Sequence, residues 1–419
     1  MKYDQFKYCI KNTTAYRFCI ISLLIFILGI LPLKSAVIPG ANQFSKYVPS
    51  LKKSNIAIVA NHTSMVGDVH LVDTLLSQGL TIKKIFAPEH GFRGDAANGE
   101  HIHNAIDKKS GLPIISLYGK QKKPSSKELK GIDAVIFDMQ DVGVRYYTYL
   151  TTMHYIMEAC AENNVALWIL DRPNPNGHYI DGPVLNPKFT QSMVGLHPIP
   201  LVHGMTLGEL AMMIQGEKWI SKSKKLSLFV VPVKHYDHNT EYQLPIPPSP
   251  NLPTAASIIL YPSLGLFEGT IMSMGRGTQW PFEVLGAPWF KEGTFQFTPK
   301  DIPGKAINPP YKGQLCKGLH LDNFADDYLK DYRKIYLLWM IEMYKAYGSK
   351  PTFFNSFFDK LAGTPELRKQ IIEGKSEKEI RATWENDLEQ FKKIRRNYLI
   401  YAHDESRGIL HPTKTSQKP

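Results

Sequence analysis

Ile56-Ala57-Ile58-Val59-Ala60 carries no polar side chain and gives way at once to Asn61-His62-Thr63-Ser64. The same change of texture recurs along the first half of the chain. Residues 82–87 lead into Pro88-Glu89-His90-Gly91-Phe92-Arg93-Gly94, and 113–117 into Tyr118-Gly119. Residues 134–137 lead into Asp138-Met139-Gln140-Asp141-Val142-Gly143-Val144-Arg145-Tyr146-Tyr147, and 166–170 into Asp171-Arg172-Pro173-Asn174-Pro175-Asn176-Gly177. Short apolar runs rich in Ile and Val are the pattern of strands buried on both faces of a parallel sheet. Between them, helix-like stretches at 68–78, with Leu71, Val72, Leu75 and Leu76, at 148–162 and at 207–215 are long enough to be crossovers. The alternation, which reaches a strand at 226–233, predicts an α/β fold with a parallel sheet. In such sheets ligands bind outside the carboxyl ends of the strands, so the polar clusters are expected to converge on one site.

At 419 residues the chain exceeds what one core usually organises, and two domains are expected. The texture changes at Leu244-Pro245-Ile246-Pro247-Pro248-Ser249-Pro250-Asn251-Leu252-Pro253, where proline forbids helix interior and central strand. This stretch is either an interdomain connector or a wall of the cleft. Beyond it come Glu268-Gly269-Thr270, Gly275-Arg276-Gly277-Thr278 and helical stretches at 331–346 and 376–398, which suit a smaller α+β domain. The division expected is 45–240 for the sheet domain and 241–405 for the auxiliary one. No internal repeat or low-complexity block is present.

The formal net charge of +12 is spread along the chain, and the basic runs 120–123 and 222–225 lack interleaved aromatic residues, so nucleic acid is not an expected partner. Lys2, Lys7, Lys11 and Arg17 precede an apolar stretch at 18–33, followed by Lys34-Ser35-Ala36. That is the order of a signal peptide, assigned to residues 1–36, and the stretch is short for a spanning helix. Export to the periplasm or beyond is expected, with an uncleaved anchor as the rival and no other membrane contact. Cys9 and Cys19 fall within this segment, leaving Cys160 and Cys316, which form neither a disulfide framework nor a metal pair.

Glu89 stands where a strand ends in a glycine-containing turn, beside apolar residues, as suits a general acid; the bland alternative is a loop glutamate in an ion pair. Asp138, Gln140, Asp141 and Arg145 form a dense set able to hold sugar hydroxyls and, through the guanidinium, a carboxylate. The alternative is that Asp138 or Asp141 caps the following helix and Arg145 neutralises it. Arg172 and Asn174 lie in a proline-stiffened loop that suits a substrate wall and equally an ordinary turn. Glu268 and Arg276 are flanked by glycines near Trp280 and Phe282, aromatic residues that suit carbohydrate but more often line a core edge. His62, Asp68, His70, His90, His101 and His103 raise a metal site, although no HExxH helix or Cys/His spacing supports one. There is no GxSxG elbow for a serine nucleophile and no GxGxxG after the first strand, so no dinucleotide is implied and no cofactor is expected.

Taken in order, Asn61-His62-Thr63-Ser64, the motifs around Glu89 and 138–149, Leu170-Asp171-Arg172-Pro173-Asn174-Pro175, His203-Gly204-Met205-Thr206, Phe267-Glu268-Gly269-Thr270 and Gly275-Arg276-Gly277-Thr278 resemble one bacterial family. It is the exo-β-N-acetylmuramidase family, once catalogued as a domain of unknown function. The resemblance covers about 46–401, with His62 where the family suggests glutamine and Met139 where it suggests isoleucine. It implies a Rossmann-like domain with an auxiliary C-terminal domain, an active site between them, and release of terminal N-acetylmuramic acid from peptidoglycan fragments during cell-wall turnover. It also implies a catalytic Glu89, with the 138–147 and Arg172 segments around the substrate.

The expected chemistry is therefore glycoside hydrolysis, with Glu89 protonating the departing oxygen. Asp138, then Glu268, are the candidates for a second carboxylate, unless the sugar's own N-acetyl group is the nucleophile. Arg145, Arg172 or Arg276 would pair with the lactyl carboxylate. Asn61, His62, His90, Gln140, Asp141, Tyr147 and Asn174 complete the expected substrate-binding set. Two rivals are a metal-dependent envelope ester or amide hydrolase, with His62, Asp68, His70 and His90 as ligands, and a cell-wall binding protein without turnover.

Overall fold

The computed structural model describes residues 35–89, 91–93, 105–119, 121–189 and 192–401. The expected export segment, apart from its last residues, lies outside them, as do His90, His101 and His103. Contacts gather the described residues from Ile38 to Tyr401 into one compact unit. No helix among the described residues is long and apolar enough to cross a membrane.

The apolar runs are strands of one sheet: β1 (Asn55–Ala60), β2 (Thr81–Ala87), β3 (Ala105–Ile106), β4 (Pro113–Ser116), β5 (Ala134–Asp138), β6 (Ala166–Leu170) and β7 (Leu228–Val231). Their order across the sheet is β3-β4-β2-β1-β5-β6-β7, parallel throughout except where β3 meets β4. From β1 the chain builds outward through β2 to β4, then returns to β1's other flank with β5, β6 and β7. The winding thus reverses between β1 and β5, whose register runs from Ile56 opposite Ala134 to Ala60 opposite Asp138. Every residue of β5 is buried, which is why its sequence shows no polar alternation. The short β3 was not legible, since two exposed residues carry no period.

Helices α1 (Phe44–Leu51), α2 (Leu71–Ser77), α3 (Ser126–Leu129), α4 (Thr148–Asn163) and α5 (Leu207–Gly216) flank the sheet. Ile58, Leu75, Ile85, Ile136 and Leu170 meet in a shared core. The start of α2 is capped by His70, whose Nδ1 accepts from the Val72 amide, and α5 by a reciprocal Thr206 and Glu209 box. Cys160 is buried in α4 and Cys316 in the C-terminal region, both as free thiols.

After α6 (Ala255–Leu264), a 3₁₀ turn at Gly265–Gly269 carries Glu268. A three-stranded antiparallel sheet follows, β8 (Val284–Ala287), β9 (Phe295–Phe297) and β10 (Cys316–His320), with β10 in the middle. The expected helix at 331–346 is interrupted: Asp331 and Tyr332 end a helical run that starts at Asp322, and α7 (Leu338–Ala346) begins only after a non-helical stretch. Before it, the Ile335 amide donates to Asp181 Oδ2 at 2.7 Å, and Arg381 grips the same carboxylate, so tertiary bonds hold this backbone out of the helix. The stretch 376–398 likewise divides into Glu377–Ala382 and α8 (Glu385–Arg395).

The proline segment is an ordered wall. The Pro247 carbonyl lies 2.9 Å from His62 Nε2, and the Pro248 carbonyl accepts from the Tyr147 hydroxyl at 2.9 Å. Further on, Asn251 Nδ2 donates to the Lys305 carbonyl.

Candidate active site

Pro88 ends β2, and Gly91 closes the turn by donating to the Pro88 carbonyl at a φ of +79°, open to glycine without strain. Glu89 is thereby left beyond the strand, 8% exposed. Its Oε2 accepts the Thr148 hydroxyl at 2.8 Å. Thr148 opens α4, a helix of 16 residues, so Glu89 is held at the N-terminal end of that helix. Burial first, and then the neighbouring Glu89 charge, push the Tyr118 phenol well above its ordinary range, and the Tyr149 phenol likewise.

Glu89 lines a cavity of about 320 Å³. Glu268 and Arg276 line the same cavity, together with Tyr118, Tyr147, Thr148, Tyr261, Asn251 and Phe282. Arg276 Nη2 meets Glu268 Oε1 at 2.8 Å, and its guanidinium lies 5.0 Å over the Phe282 ring. Burial works against the arginine's charge, but Glu268 outweighs it and Glu89 adds to the attraction. The cavity therefore joins the end of β2 and the start of α4 to two segments from beyond the proline wall.

The other expected carboxylate is elsewhere. Asp138 is fully buried and held in the fork of Arg172, Nε to Oδ1 at 2.5 Å and Nη2 to Oδ2 at 2.8 Å. Neither residue lines the Glu89 cavity. The order of the two candidates is thus reversed, since Glu268 shares the space with Glu89 while Asp138 is locked into an ion pair. Arg172 and Arg276 have separate carboxylate partners.

Arg145 is corrected more fully. It is 1% exposed, and its two terminal nitrogens donate to the carbonyls of Pro183, Ile199, Leu361 and Ala362. Burial pulls its pKa down to about 9. It ties the 183–199 loop to the end of the helix Phe358–Ala362 and has no donor to spare from those nitrogens for a substrate carboxylate.

Several other expected contacts are equally internal. Gln140 donates to the carbonyls of Asp141 and Pro173, joining the exits of β5 and β6. Asp141 accepts from the Gly143 amide rather than capping α4, and burial raises its pKa to about 7 against the pull of the Gly143 and Val142 amides. Asn174 donates to the Met205 carbonyl and accepts from Asn176, while Asn61 Oδ1 accepts from the amide and hydroxyl of Thr63. Tyr147 does line the cavity, and His62 holds the proline wall.

The described members of the proposed metal set do not converge. His70 is committed at both nitrogens, to the Asn61 carbonyl and the Val72 amide, and Asp68 is exposed on the hairpin before α2. Among the described residues no group of three or more His, Cys, Asp and Glu side chains is arranged to hold a metal ion.

Sequence reasoning missed Tyr118, Thr148, Asn251 and Tyr261 as cavity residues. Tyr118 carried a signal, since it follows the run that became β4. Tyr261 carried none, because within a helical apolar stretch it reads as core.

Comparison with known proteins accords with this architecture. Residues 56–256 match the N-terminal part of the exo-beta-N-acetylmuramidase NamZ family and 259–401 its C-terminal part. The chain is 40% identical over 376 residues to the peptidoglycan beta-N-acetylmuramidase NamZ of Bacillus subtilis (strain 168), covering 85% of this chain and 89% of that one. A crystal structure of a DUF1343 family protein from Bacteroides fragilis superposes with a TM-score of 0.82 at 49% identity, over 88% of this chain and 100% of the other. A second DUF1343 structure from the same organism gives 0.74 at 28% identity, over 87% and 99%. By sequence over most of its length and by fold, the chain belongs to the exo-β-N-acetylmuramidase NamZ family.

Proposed function

We propose that this protein is a glycosidase that releases terminal N-acetylmuramic acid from the non-reducing ends of peptidoglycan fragments. The observation that carries the reading is the meeting of Glu89 with the Glu268–Arg276 pair around one cavity, in a chain of the muramidase family. Glu89 is the acid that protonates the glycosidic oxygen, oriented by Thr148. Glu268 is the second carboxylate, suited to orient the attacking group or to stabilise the positive charge that develops on the sugar ring.

Arg276 gives only Nη2 to Glu268, so its Nε and Nη1 are the donors assigned to the lactyl carboxylate that distinguishes muramic acid from glucosamine. Phe282 backs the guanidinium and limits where it can swing. Tyr147 and Asn251 are assigned to the walls around the sugar. An exported, periplasmic or extracellular location, directed by the segment at 1–36, fits this substrate and forms part of the proposal, with no other membrane contact.

The test is hydrolysis of an aryl β-N-acetylmuramide beside the matching glucosaminide, with and without a chelator. Chelator-resistant turnover that prefers the muramide supports the reading. A folded protein that cleaves neither sugar, or that works only with added metal, overturns it.

A further inference from the structure

On the other side of the proline wall lies a second cleft, of about 420 Å³. Pro245 and Ile246 border it, whereas Ser249, Asn251 and Leu252 border the Glu89 cavity, and the pinned carbonyls of Pro247 and Pro248 fall between. The cleft opens above the ends of β1, β5 and β6, through Thr63, Gln140 and Arg172. This is the point where the winding of the sheet reverses, the usual ligand position in an open parallel sheet.

We propose that this cleft is a second saccharide site, which holds a neutral pyranose without cleaving it. Its floor is polar but uncharged overall. Arg172 and Asp138 cancel one another in a buried two-point pair, and Asp68 at the rim is an exposed acceptor. An anionic ligand would meet Asp68 and a guanidinium already neutralised, so a carboxylate or phosphate is disfavoured.

A purely apolar ligand fits no better. Arg172 Nη1 makes no hydrogen bond among the described residues, and both amide hydrogens of Gln140 are spent on carbonyls, leaving its oxygen as an acceptor. An apolar group over these atoms would desolvate them without replacement bonds. Met65, Ile246 and the half-buried Tyr242 supply apolar surface beside them. Tyr242 and Arg172 line the cleft together, so one ligand can meet the phenol ring and the guanidinium.

A ring with hydroxyls on its edge and carbon on its face satisfies both halves. The choice of an acetamido sugar without a lactyl group, the N-acetylglucosamine class, rests on the glycosidase reading above. No hydrolysis is expected here, because Asp138 is held by Arg172 and only the rim carboxylate of Asp68 remains.

Two methionines make the test local, since Met65 lines this cleft and Met193 the Glu89 cavity. The full chain labelled with ¹³C at the methionine methyls is titrated with N-acetylglucosamine, N,N′-diacetylchitobiose and, separately, N-acetylmuramic acid. Met65→Leu and Met193→Leu assign the two resonances. The expected result is a saturable shift of Met65 with the two neutral sugars, weakened on the order of tenfold by Tyr242→Ala, the loss typical of a truncated contact aromatic. A Met65 methyl that stays put up to roughly tens of millimolar sugar, that responds equally in Tyr242→Ala, or that prefers N-acetylmuramic acid overturns the proposal. Failure of Met193 to respond to N-acetylmuramic acid would count against the glycosidase reading instead, and leaves the answer from Met65 intact.

Discussion

The Thr148 hydroxyl donates to Glu89 Oε2 at 2.8 Å, so the first residue of α4 fixes the carboxyl that stands at the end of β2. Thr148→Val keeps the side chain's shape and removes the donor. Its kcat on an unactivated muramide should fall by roughly tenfold to a hundredfold, the effect of losing one hydrogen bond to the carboxylate that forms as the proton leaves, with KM little changed. Steady-state kinetics checks this, and a variant with unaltered kcat would mean that Glu89 is oriented by something else.

Arg276 should govern choice of sugar. Arg276→Ala is expected to lower the muramide-to-glucosaminide ratio of kcat/KM on the order of a hundredfold, since it removes charge-assisted donors from one substrate only. Both substrates will also lose some rate, because Glu268 is left without its partner. An unchanged ratio would assign the lactyl contact elsewhere.

Arg145 should govern stability. Arg145→Met leaves four buried carbonyls without their donor, and a loss of about 3 kcal/mol or more is expected, seen as a lower denaturant midpoint. The protein that remains folded should keep its preference for muramide. A stable variant with altered sugar preference would return Arg145 to the substrate.

Asp141 should make stability depend on pH in a direction unusual for a carboxylate. Its pKa is raised to about 7 when folded, against about 4 in an unfolded chain, so the fold favours the protonated form. That contribution is present below about pH 4 and is lost as pH rises through about 7. Asp141→Asn mimics the protonated state. Its stability relative to the parent should therefore improve between about pH 4 and 7, by on the order of a few kcal/mol, and level off above. Denaturant melts of both proteins across that range check the sign.

The parallel sheet was legible because burial on both faces writes a continuous apolar run, and five such runs became β1, β2, β4, β5 and β6 within a residue or so. The convergence of their trailing residues was legible only in part. Glu89, Asp138 and Arg172 look alike in sequence, as polar residues just past a strand. Which of them faces a cavity depends on the proline wall, on the Arg172 fork and on segments from 249–282, none of which leaves a periodic trace. The arginine of the 138–147 cluster misled for the same reason, because its carbonyl partners lie as far away as Leu361 and Ala362.

The central claim is that Glu89 gives its proton to a departing sugar. Parent and Glu89→Gln should be compared on a disaccharide with terminal N-acetylmuramic acid and on a dinitrophenyl muramide, whose leaving group needs no proton. The account predicts a loss on the order of a thousandfold for the disaccharide and a much smaller one for the dinitrophenyl substrate. Equal losses on both, or none on the disaccharide, would contradict it.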